Sequence, residues 1–285
     1  ILLGISGGIA AYKSTFLVRL LIKSGANVQV IMTPSAKDFV TPLTLSTLSN
    51  RPVLSEFFNK DNKNELWNNH VELSIWADYM IIAPATANTL SKMASARADN
   101  LLLGTYLSSK CPVYFAPAMD LEMHKNKANQ LNIKKLIDFG NIHIPVNSGF
   151  LASGLEGEGR MQEPDQIIDF IINDIIKGLK LYGKKILITA GPTYEPIDAV
   201  RFIGNYSSGK MGFALANTAS SLGAEVVLVT GPTSLSIKSN NIKVVNVVTA
   251  DEMFIKTKEF FLSADISILS AAVSDFKPVK KSKNK

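Results

Sequence analysis

Two glycine-containing turns carry residues suited to binding a phosphate. The first, with Ser6, Gly7 and Gly8, follows the apolar run ILLGI and precedes a helical pattern. A glycine-rich turn between a strand and a helix presents free backbone N–H groups, and the dipole of the helix favours an anion there. The spacing matches neither a dinucleotide fingerprint nor a Walker A loop, so a tight turn without a ligand stays open as the alternative.

The second turn lies in GNYSSGKMG, where two glycines and Lys210 almost satisfy the Walker A spacing. Met211 stands where that motif requires Ser or Thr to hold magnesium, and the turn comes well after its strand. These differences argue against an ATPase loop. The polar start of the following helix, with Ser207, Ser208 and Lys210, is still suited to a phosphate.

Apolar runs of strand length alternate with helical patterns along the chain. They include ILLGI, NVQVIMT, YMIIAPAT and PVYFAPAM in the first half, and KILITAG, EVVLVTGP and ADISILSAAV in the second. Such alternation predicts βαβ units and parallel sheets with helices on both faces. We therefore predict an α/β protein with two doubly wound, mostly parallel, Rossmann-like sheets. The boundary is expected near KGLKLYGKK, which gives domains 1–178 and 184–285.

Composition limits the class of protein. With 285 residues, of which 46% are hydrophobic and 19% charged, the chain is typical of globular proteins. No apolar run approaches the roughly 20 residues of a membrane helix, and one cysteine cannot form an internal disulfide, so we expect a cytosolic protein that binds no membrane. The histidines lack metal-ligand spacing, and the net charge of +6 comes without a nucleic-acid motif. We therefore expect no metal centre and no nucleic-acid partner.

Four stretches in the first half resemble the FMN-dependent cysteine decarboxylases, which act on phosphopantothenoylcysteine or on the C-terminal cysteine of a peptide. They are GISGGIAAYK, APATANTLSKMASARADNLL, PAMDLEMHKN and SGLEGEGRM, in the family's order. The resemblance implies a flavodoxin-like domain that binds FMN. It assigns the cofactor site to Ser6, Gly7, Gly8, Ser35, Thr86 and Ala87.

The same resemblance assigns catalytic residues. His70, which heads the run HVELSIWAD, matches the family's active-site histidine, a residue type suited to proton transfer near neutral pH. Met119 and Met123 match the motif P-x-M-N-x-x-M, but Asp120 stands where the family's asparagine contacts the substrate carboxylate. An ionised Asp120 at about 4 Å would repel that carboxylate by about 4 kcal/mol. Either Asp120 is protonated or the substrate is held differently.

The segment LASGLEGEGRM resembles the family's mobile substrate clamp, A-C-G-x-x-G-x-G-R-M. Its glycines give a closing flap its backbone freedom, and its arginine is expected to order the flap. Ser153 replaces the clamp cysteine, which in the family donates a proton when the enethiol intermediate is reduced. A hydroxyl is a far weaker acid than a thiol, so we expect Ser153 or a water to supply that proton. The clamp residues are Gly154, Gly157, Gly159 and Arg160.

In the second half, TAGPTYEPIDAVRFIGNYSSGKMG and SAAVSDFKP resemble phosphopantothenate–cysteine ligase, which many bacteria fuse behind the decarboxylase. The resemblance implies a partial ligase domain that uses CTP with Mg²⁺ to activate 4′-phosphopantothenate for attack by cysteine. Asn205 matches the asparagine that stabilises the acyl-cytidylate. The expected nucleotide and ligase-substrate residues are Arg201, Ser207, Ser208, Lys210, Ala271, Ala272, Asp275 and Lys285. A solvated basic tail is the alternative for Lys285.

The leading hypothesis is a bifunctional enzyme of coenzyme A synthesis, which makes phosphopantothenoylcysteine and decarboxylates it to 4′-phosphopantetheine. The resemblance also implies a homo-oligomer built from trimers, up to a dodecamer in fused enzymes. The chain starts inside an apparent strand and stops in a lysine-rich run, so we take it for a fragment whose ligase half is inactive alone. Two alternatives stay open. One is a non-catalytic FMN-binding regulator, favoured by Asp120 and Ser153, and the other is a nicotinamide-dependent oxidoreductase, disfavoured by the failed fingerprint.

Overall fold

The structure is a computed structural model that describes residues 1–58, 67–150, 152–237, 239–280 and 282. The chain divides into two compact units, Ile1–Ile172 and Asn173–Lys285, and each unit is described by itself. Within the described ranges, no helix is both long enough and apolar enough to cross a membrane.

Five parallel strands form the sheet of the first unit. They are β1 (Leu2–Ile5), β2 (Gln29–Met32), β3 (Met80–Ala85), β4 (Val113–Pro117) and β5 (Ile142–His143). The strand order is β2-β1-β3-β4-β5, and all neighbouring pairs are parallel. This is the flavodoxin-like order, in which connections from β1 run to both sides and place helices on both faces. The predicted α/β class with a mostly parallel sheet is confirmed.

The first four strands are buried along their whole length. Strands of a parallel sheet are covered on both faces, which is why their sequences read as continuous apolar runs. The helices that cover them are α1 (Ser14–Lys23), α2 (Pro42–Ser49), α3 (His70–Trp76), α4 (Ala87–Ala94), α5 (Leu101–Ser108), α6 (Leu121–Lys125), α7 (Lys127–Asp138) and α8 (Pro164–Lys177). The first helix, expected from Ala10, begins as a 3₁₀ turn, Ile9–Lys13, and becomes α-helical at Ser14.

An antiparallel hairpin follows the sheet of the first unit. Its strands are β6 (Asn147–Phe150) and β7 (Glu156–Arg160), and we call the hairpin the flap. The flap is docked on the loop after β4, because the Met119 N–H donates to the Gly159 carbonyl oxygen at 3.0 Å. Gly159 has a φ of +133°, and a Cβ there would lie 2.5 Å from the Met119 carbonyl oxygen. This glycine therefore serves close docking as well as backbone freedom.

The second unit contains β8 (Lys185–Ala190), β9 (Tyr194–Pro196), β10 (Phe202–Gly204), α9 (Lys210–Ser221), β11 (Glu225–Thr230), β12 (Ile242–Asn246), α10 (Ala250–Phe261) and β13 (Ile266–Leu269). Four of the strands form a parallel sheet of order β12-β11-β8-β13. β9 and β10 form an antiparallel ribbon within the stretch between KILITAG and the second glycine-containing turn, where the apolar-run pattern predicts no strand. Strands of three residues are too short to show an alternating pattern.

A histidine with a buried ring nitrogen predicts that the first unit is sensitive to acid. His143 ends β5 and stacks on Phe115 with ring centroids 5.2 Å apart, and its buried Nε2 has no hydrogen-bond partner among the described atoms. Burial lowers the pKa of His143 below its usual value, and His124 lowers it further. His143 therefore binds a proton more readily in the unfolded chain than in the folded protein. The stability that neutral His143 contributes is fully present above about pH 6.5, and it is lost as the pH falls towards the pKa of His143 in the folded protein.

We therefore expect His143→Phe to lose less thermal stability than the parent between pH 7.5 and pH 5.5, since it keeps the ring stack without the titrating group. His124→Gln is the control, which retains the buried histidine and most of the parent's pH dependence. Thermal unfolding of the three proteins at both pH values makes the comparison. Equal pH dependence in His143→Phe and the parent would show that another group is responsible.

Candidate active site

A cavity of about 550 Å³ opens at the carboxyl ends of the strands in the first unit. We call it the switch-point cavity, because it lies by the loops after β1 and β3, where the strand order reverses. Open parallel sheets bind their ligands at this place. Among the lining residues are Gly7, Ser35, Thr86, Ala87, Asn100 and Met123. Five of these six come from the loops or helices that follow β1, β2, β3 and β4, so the sheet itself brings them together.

The first glycine-rich turn presents donors to this region. In the described part of the chain, the N–H groups of Gly7, Gly8 and Ile9 donate to no protein oxygen. A Cβ on Gly7 would collide with Ser35, so the turn packs its bare backbone against the loop after β2. Unpaired N–H groups at the entry to a helical segment favour an anion. The turn is therefore suited to a phosphate, as the sequence predicted.

Ser6 positions these loops instead of lining the cavity. Its buried hydroxyl donates to the Pro84 carbonyl oxygen at 2.7 Å and accepts from the Thr86 N–H at 2.9 Å. A hydroxyl has one proton, so Ser6 cannot donate to a phosphate while it is bonded to Pro84. Gly8 lines a neighbouring cavity under the flap. The structure thus brings four of the six predicted cofactor residues to the switch-point cavity and gives Ser6 a different part.

Sequence reasoning missed polar residues at the far side of the switch-point cavity. Lys92 Nζ lies 2.7 Å from Asp99 Oδ2, and the hydrogen bond from Lys92 lowers the pKa of the Asp99 carboxyl. Asn100 accepts from the Leu103 N–H at 3.0 Å and so caps α5. All of these polar residues belong to SKMASARADN, part of a stretch that resembles the cysteine decarboxylases. The helix-capping Asn100 before the apolar run was the available signal.

The neighbouring cavity, of about 430 Å³, lies under the flap, and we call it the flap cavity. Among its lining residues are Gly8, Tyr12, Lys13, Asp120, Phe150 and Arg160. Ala118 and Met119 line both cavities, so the two adjoin at the loop after β4. Molecules bound in the two cavities would therefore both lie against the loop after β4.

The flap cavity carries charges of both signs. Asp120 Oδ1 accepts from the Leu121 N–H at 2.6 Å and caps the start of α6. Two cations line the same cavity, the buried Lys13 and the partly exposed Arg160. An anionic group of a ligand thus meets positive charge as well as the Asp120 carboxylate. The repulsion expected from Asp120 is opposed by these two side chains.

The glycines of the predicted clamp lie in the flap. A Cβ on Gly157 would lie 2.7 Å from the side chain of Leu121, so Gly157, like Gly159, allows close docking. Gly154 has a φ of +82° in the exposed turn, with no heavy atom within 4 Å of an added Cβ. At Gly154 the glycine therefore serves the turn conformation alone.

Two predicted catalytic residues line neither the switch-point cavity nor the flap cavity. His70 begins α3, and its ring packs against Phe57 and Trp67 with centroid distances of 5.8 and 5.9 Å. Its buried Nδ1 has no hydrogen-bond partner among the described atoms. Ser153 is exposed in the turn of the flap, while its neighbour Ala152 lines the flap cavity. Within this one chain, the geometry does not bring His70 or Ser153 to the site.

In the second unit, predicted residues meet at the carboxyl edge of the sheet. Asn205 Nδ2 donates to the carbonyl oxygens of Ala272 at 3.3 Å and Val273 at 3.0 Å. The Ala271 N–H donates to Thr189 Oγ1 at 3.2 Å, near the end of β8. The fold thus joins Asn205 to the loop with Ala271 and Ala272, which lies far along the sequence.

The other predicted ligase residues lie around that edge. Arg201 Nε donates to Asp198 Oδ2 at 2.7 Å, and the pKa of the Asp198 carboxyl is lowered by the backbone N–H groups of Val200 and Arg201 and by the Arg201 side chain. The hydroxyls of Ser207 and Ser208 accept from N–H groups at the start of α9, including that of Lys210. Asp275 is exposed, and Lys285 lies outside the described residues.

Comparison with known protein families identifies two matches, one for each half of the chain. A family model described as Flavoprotein matches residues 1–176. The chain belongs to the flavoprotein family. A second model, described as the DNA/pantothenate metabolism flavoprotein C-terminal domain, matches residues 181–285.

Individual relatives of the flavoprotein cover most of its length. It is 46% identical over 279 residues to the coenzyme A biosynthesis bifunctional protein CoaBC of Vibrio parahaemolyticus. This match covers 98% of this chain and 69% of the relative. It is 52% identical over 250 residues to a cysteine/cysteine sulfinic acid decarboxylase of an unknown prokaryotic organism, over 86% of this chain and 69% of the relative. A solved PPC decarboxylase mutant complexed with pantothenoylaminoethenethiol matches with a TM-score of 0.54 and 31% identity, over 61% of this chain and 96% of that one.

The packing of the first turn predicts how the flavoprotein responds to two glycine substitutions. We expect Gly7→Ala to weaken FMN binding at least tenfold, because its Cβ collides with Ser35 and moves the N–H groups of the turn. Gly8→Ala is the matched control, since its Cβ meets one methyl group of Thr86 at 3.1 Å. A loss below about threefold is expected there, which corresponds to less than about 1 kcal/mol. Fluorescence titration of the apoprotein with FMN measures both, and equal losses would contradict the packing argument.

Proposed function

We propose that the first unit is an FMN-dependent decarboxylase of phosphopantothenoylcysteine in coenzyme A biosynthesis. The observation that carries the proposal is the junction of two cavities at Ala118 and Met119. One cavity is suited to a phosphate-bearing cofactor, and the other offers cations beneath a flap. Membership of the flavoprotein family, and relatives named CoaBC and PPC decarboxylase, support the same activity.

The residues of the switch-point cavity fit FMN. The unpaired N–H group of Gly7 would hold its phosphate, and Thr86 and Ala87 add the start of a second helix. Gly8 and Ile9, which line the adjoining flap cavity, offer further N–H groups beside it. A flavodoxin-like sheet binds FMN at this switch point. When bound, FMN would supply the two-electron oxidation of the cysteinyl end that makes loss of carbon dioxide feasible.

The flap cavity would receive the cysteinyl end of the substrate. Lys13 and Arg160 would orient its carboxylate, while the docked flap excludes water from the adjoining cofactor. His70 and Ser153 stay as the proton-transfer residues that the resemblance predicts, with a water as the alternative to Ser153. Their support comes from the resemblance and not from the geometry of this chain. The assembly proposed with this activity is a homo-oligomer built from trimers.

A second candidate function is decarboxylation of free cysteine or cysteine sulfinic acid. It is favoured by the 52% identity to a relative that carries this name. The flap cavity, at about 430 Å³, is much larger than a free cysteine and carries two cations. Its size and charge favour the larger, phosphorylated substrate.

The deciding experiment is an anaerobic incubation of the FMN-loaded protein with phosphopantothenoylcysteine, followed by mass spectrometry. Carbon dioxide and 4′-phosphopantetheine are expected in equal amounts. Carbon dioxide with an accumulating enethiol would show that Ser153 does not replace the thiol donor. Absence of carbon dioxide with FMN bound would overturn the proposal in favour of a non-catalytic FMN-binding protein. Turnover confined to parallel incubations with cysteine or cysteine sulfinic acid would favour the second candidate.

We further propose that the second unit takes part in the ligase step, in which CTP with Mg²⁺ activates 4′-phosphopantothenate for attack by cysteine. The match to the flavoprotein C-terminal domain over residues 181–285 supports this. So does the contact of Asn205 with the loop of Ala272 and Val273, because it brings the predicted residues Asn205 and Ala272 together at one edge. These residues and the start of α9 would contact the nucleotide.

Asn205→Asp tests this proposal. The substitution removes both hydrogen bonds to the loop and adds a negative charge beside the expected triphosphate, so Mg·CTP binding should weaken at least tenfold. Asn240→Asp adds the same charge in the turn before β12, where Asn240 makes none of the described hydrogen bonds to that loop, and should change binding less than twofold. Isothermal titration measures both. Absence of CTP binding to the parent would refute the nucleotide site.

A further inference from the structure

Glu163 lies between the flap and α8 and was not among the predicted site residues. One oxygen of its carboxylate, Oε1, lies 2.8 Å from Lys13 Nζ and 2.9 Å from Arg160 Nη2. Lys13 ends the 3₁₀ turn that follows the first glycine-rich turn, and Arg160 ends the flap. A single carboxylate oxygen thus connects Lys13 to Arg160, although Lys13 and Glu163 are 150 residues apart in the chain.

The partners of Glu163 differ in burial. The Lys13 side chain is 4% exposed, and its remaining hydrogen bond goes to the Met161 carbonyl oxygen at 3.0 Å. A buried ammonium without a counter-charge is strongly unfavourable, so Lys13 depends on Glu163. The Arg160 side chain is 38% exposed and has no second carboxylate partner among the described residues. Its position in the flap cavity therefore depends on the same carboxylate.

A backbone hydrogen bond also holds the base of the flap. The Met119 N–H donates to the Gly159 carbonyl oxygen at 3.0 Å, next to Arg160 in sequence. A single backbone hydrogen bond makes only a modest net contribution to stability, so it does not by itself hold the hairpin firmly closed. Hydrogen bonds between charged groups are roughly twice as strong as neutral ones. The two ion pairs of Glu163 are therefore expected to contribute more to flap closure than this backbone hydrogen bond.

We propose that Glu163 is a positioning residue that holds the flap against the glycine-rich turn and directs Lys13 and Arg160 into the flap cavity. It acts through these two cations and does not itself line the cavity. Without it, two cations face each other with no shared counter-charge, and the flap opens. The effect on turnover rests on the proposed decarboxylase function, whereas the effect on flap closure does not.

The experiment compares Glu163→Gln with the parent, both loaded with FMN. Asp165→Asn is the matched control, because Asp165 is an exposed acid in the first turn of α8 with no ion pair to Lys13 or Arg160. Hydrogen–deuterium exchange is followed by mass spectrometry in peptides that cover Asn147–Arg160. Exchange in the flap is expected to be at least tenfold faster in Glu163→Gln and within twofold of the parent in Asp165→Asn. Unchanged exchange in Glu163→Gln would overturn the proposal.

A double substitution shows whether Glu163 acts through Arg160. Arg160→Met should open the flap by itself, and adding Glu163→Gln should then change flap exchange less than twofold. Additive effects would overturn the coupling. If Glu163→Gln fails to retain FMN, Arg160→Met carries the closure test, because it leaves the buried pair of Lys13 and Glu163 intact.

Steady-state kinetics separates positioning from a general loss of structure. With phosphopantothenoylcysteine, Glu163→Gln should raise KM about tenfold and change kcat less than threefold, with an unaltered flavin absorbance spectrum. A fall in kcat at constant KM would contradict a positioning role. If the parent shows no turnover, the proposed function fails, and the exchange measurements still decide whether Glu163 closes the flap.

Discussion

The hydroxyl of Ser6 is the contact on which the candidate active site depends. It joins the loop after β1 to the end of β3 and the loop that follows, through Pro84 and Thr86, and it is buried. It adds to the hydrogen bond from the Ser6 N–H to the same Pro84 carbonyl oxygen at 3.2 Å, so the two loops are held together where the strand order reverses. With the two loops fixed, Gly7 of the first turn and the start of α4 line one cavity, while Gly8 and Ile9 line the adjoining one. A buried hydroxyl that uses its proton and accepts one hydrogen bond is well suited to this part.

The second constraint on the site is its arrangement of charges. Lys13, Arg160 and Glu163 form one cluster beneath the flap, and Asp120 lines the same cavity from the loop after β4. The substitution of Asp for the family's asparagine thus occurs in a cavity that also contains two cations. This gives Asp120 a charged environment that the motif alone did not show. The flap and the glycine-rich turn are connected through the same cluster.

The fold was predictable because its signals are local. Short apolar runs separated by helical patterns identified the parallel strands, since a strand covered on both faces must be apolar throughout. The glycine-rich turn, with its free N–H groups, was recognisable from Gly7 and Gly8 beside the first strand. The β9–β10 ribbon and helix α3 were missed, because segments of three and seven residues carry too little periodic pattern.

The sequence by itself determined the α/β class, the positions of the loops after each strand and the residue types that those loops carry. Tertiary structure decided which of these residues share a cavity. It placed Ser35 and Thr86 with the first turn, left His70 packed against Phe57 and Trp67, and brought Glu163 to Lys13 across 150 residues. Strand order and flap docking create these contacts, and neither leaves a periodic signal, because contacts between distant residues depend on how the whole chain packs.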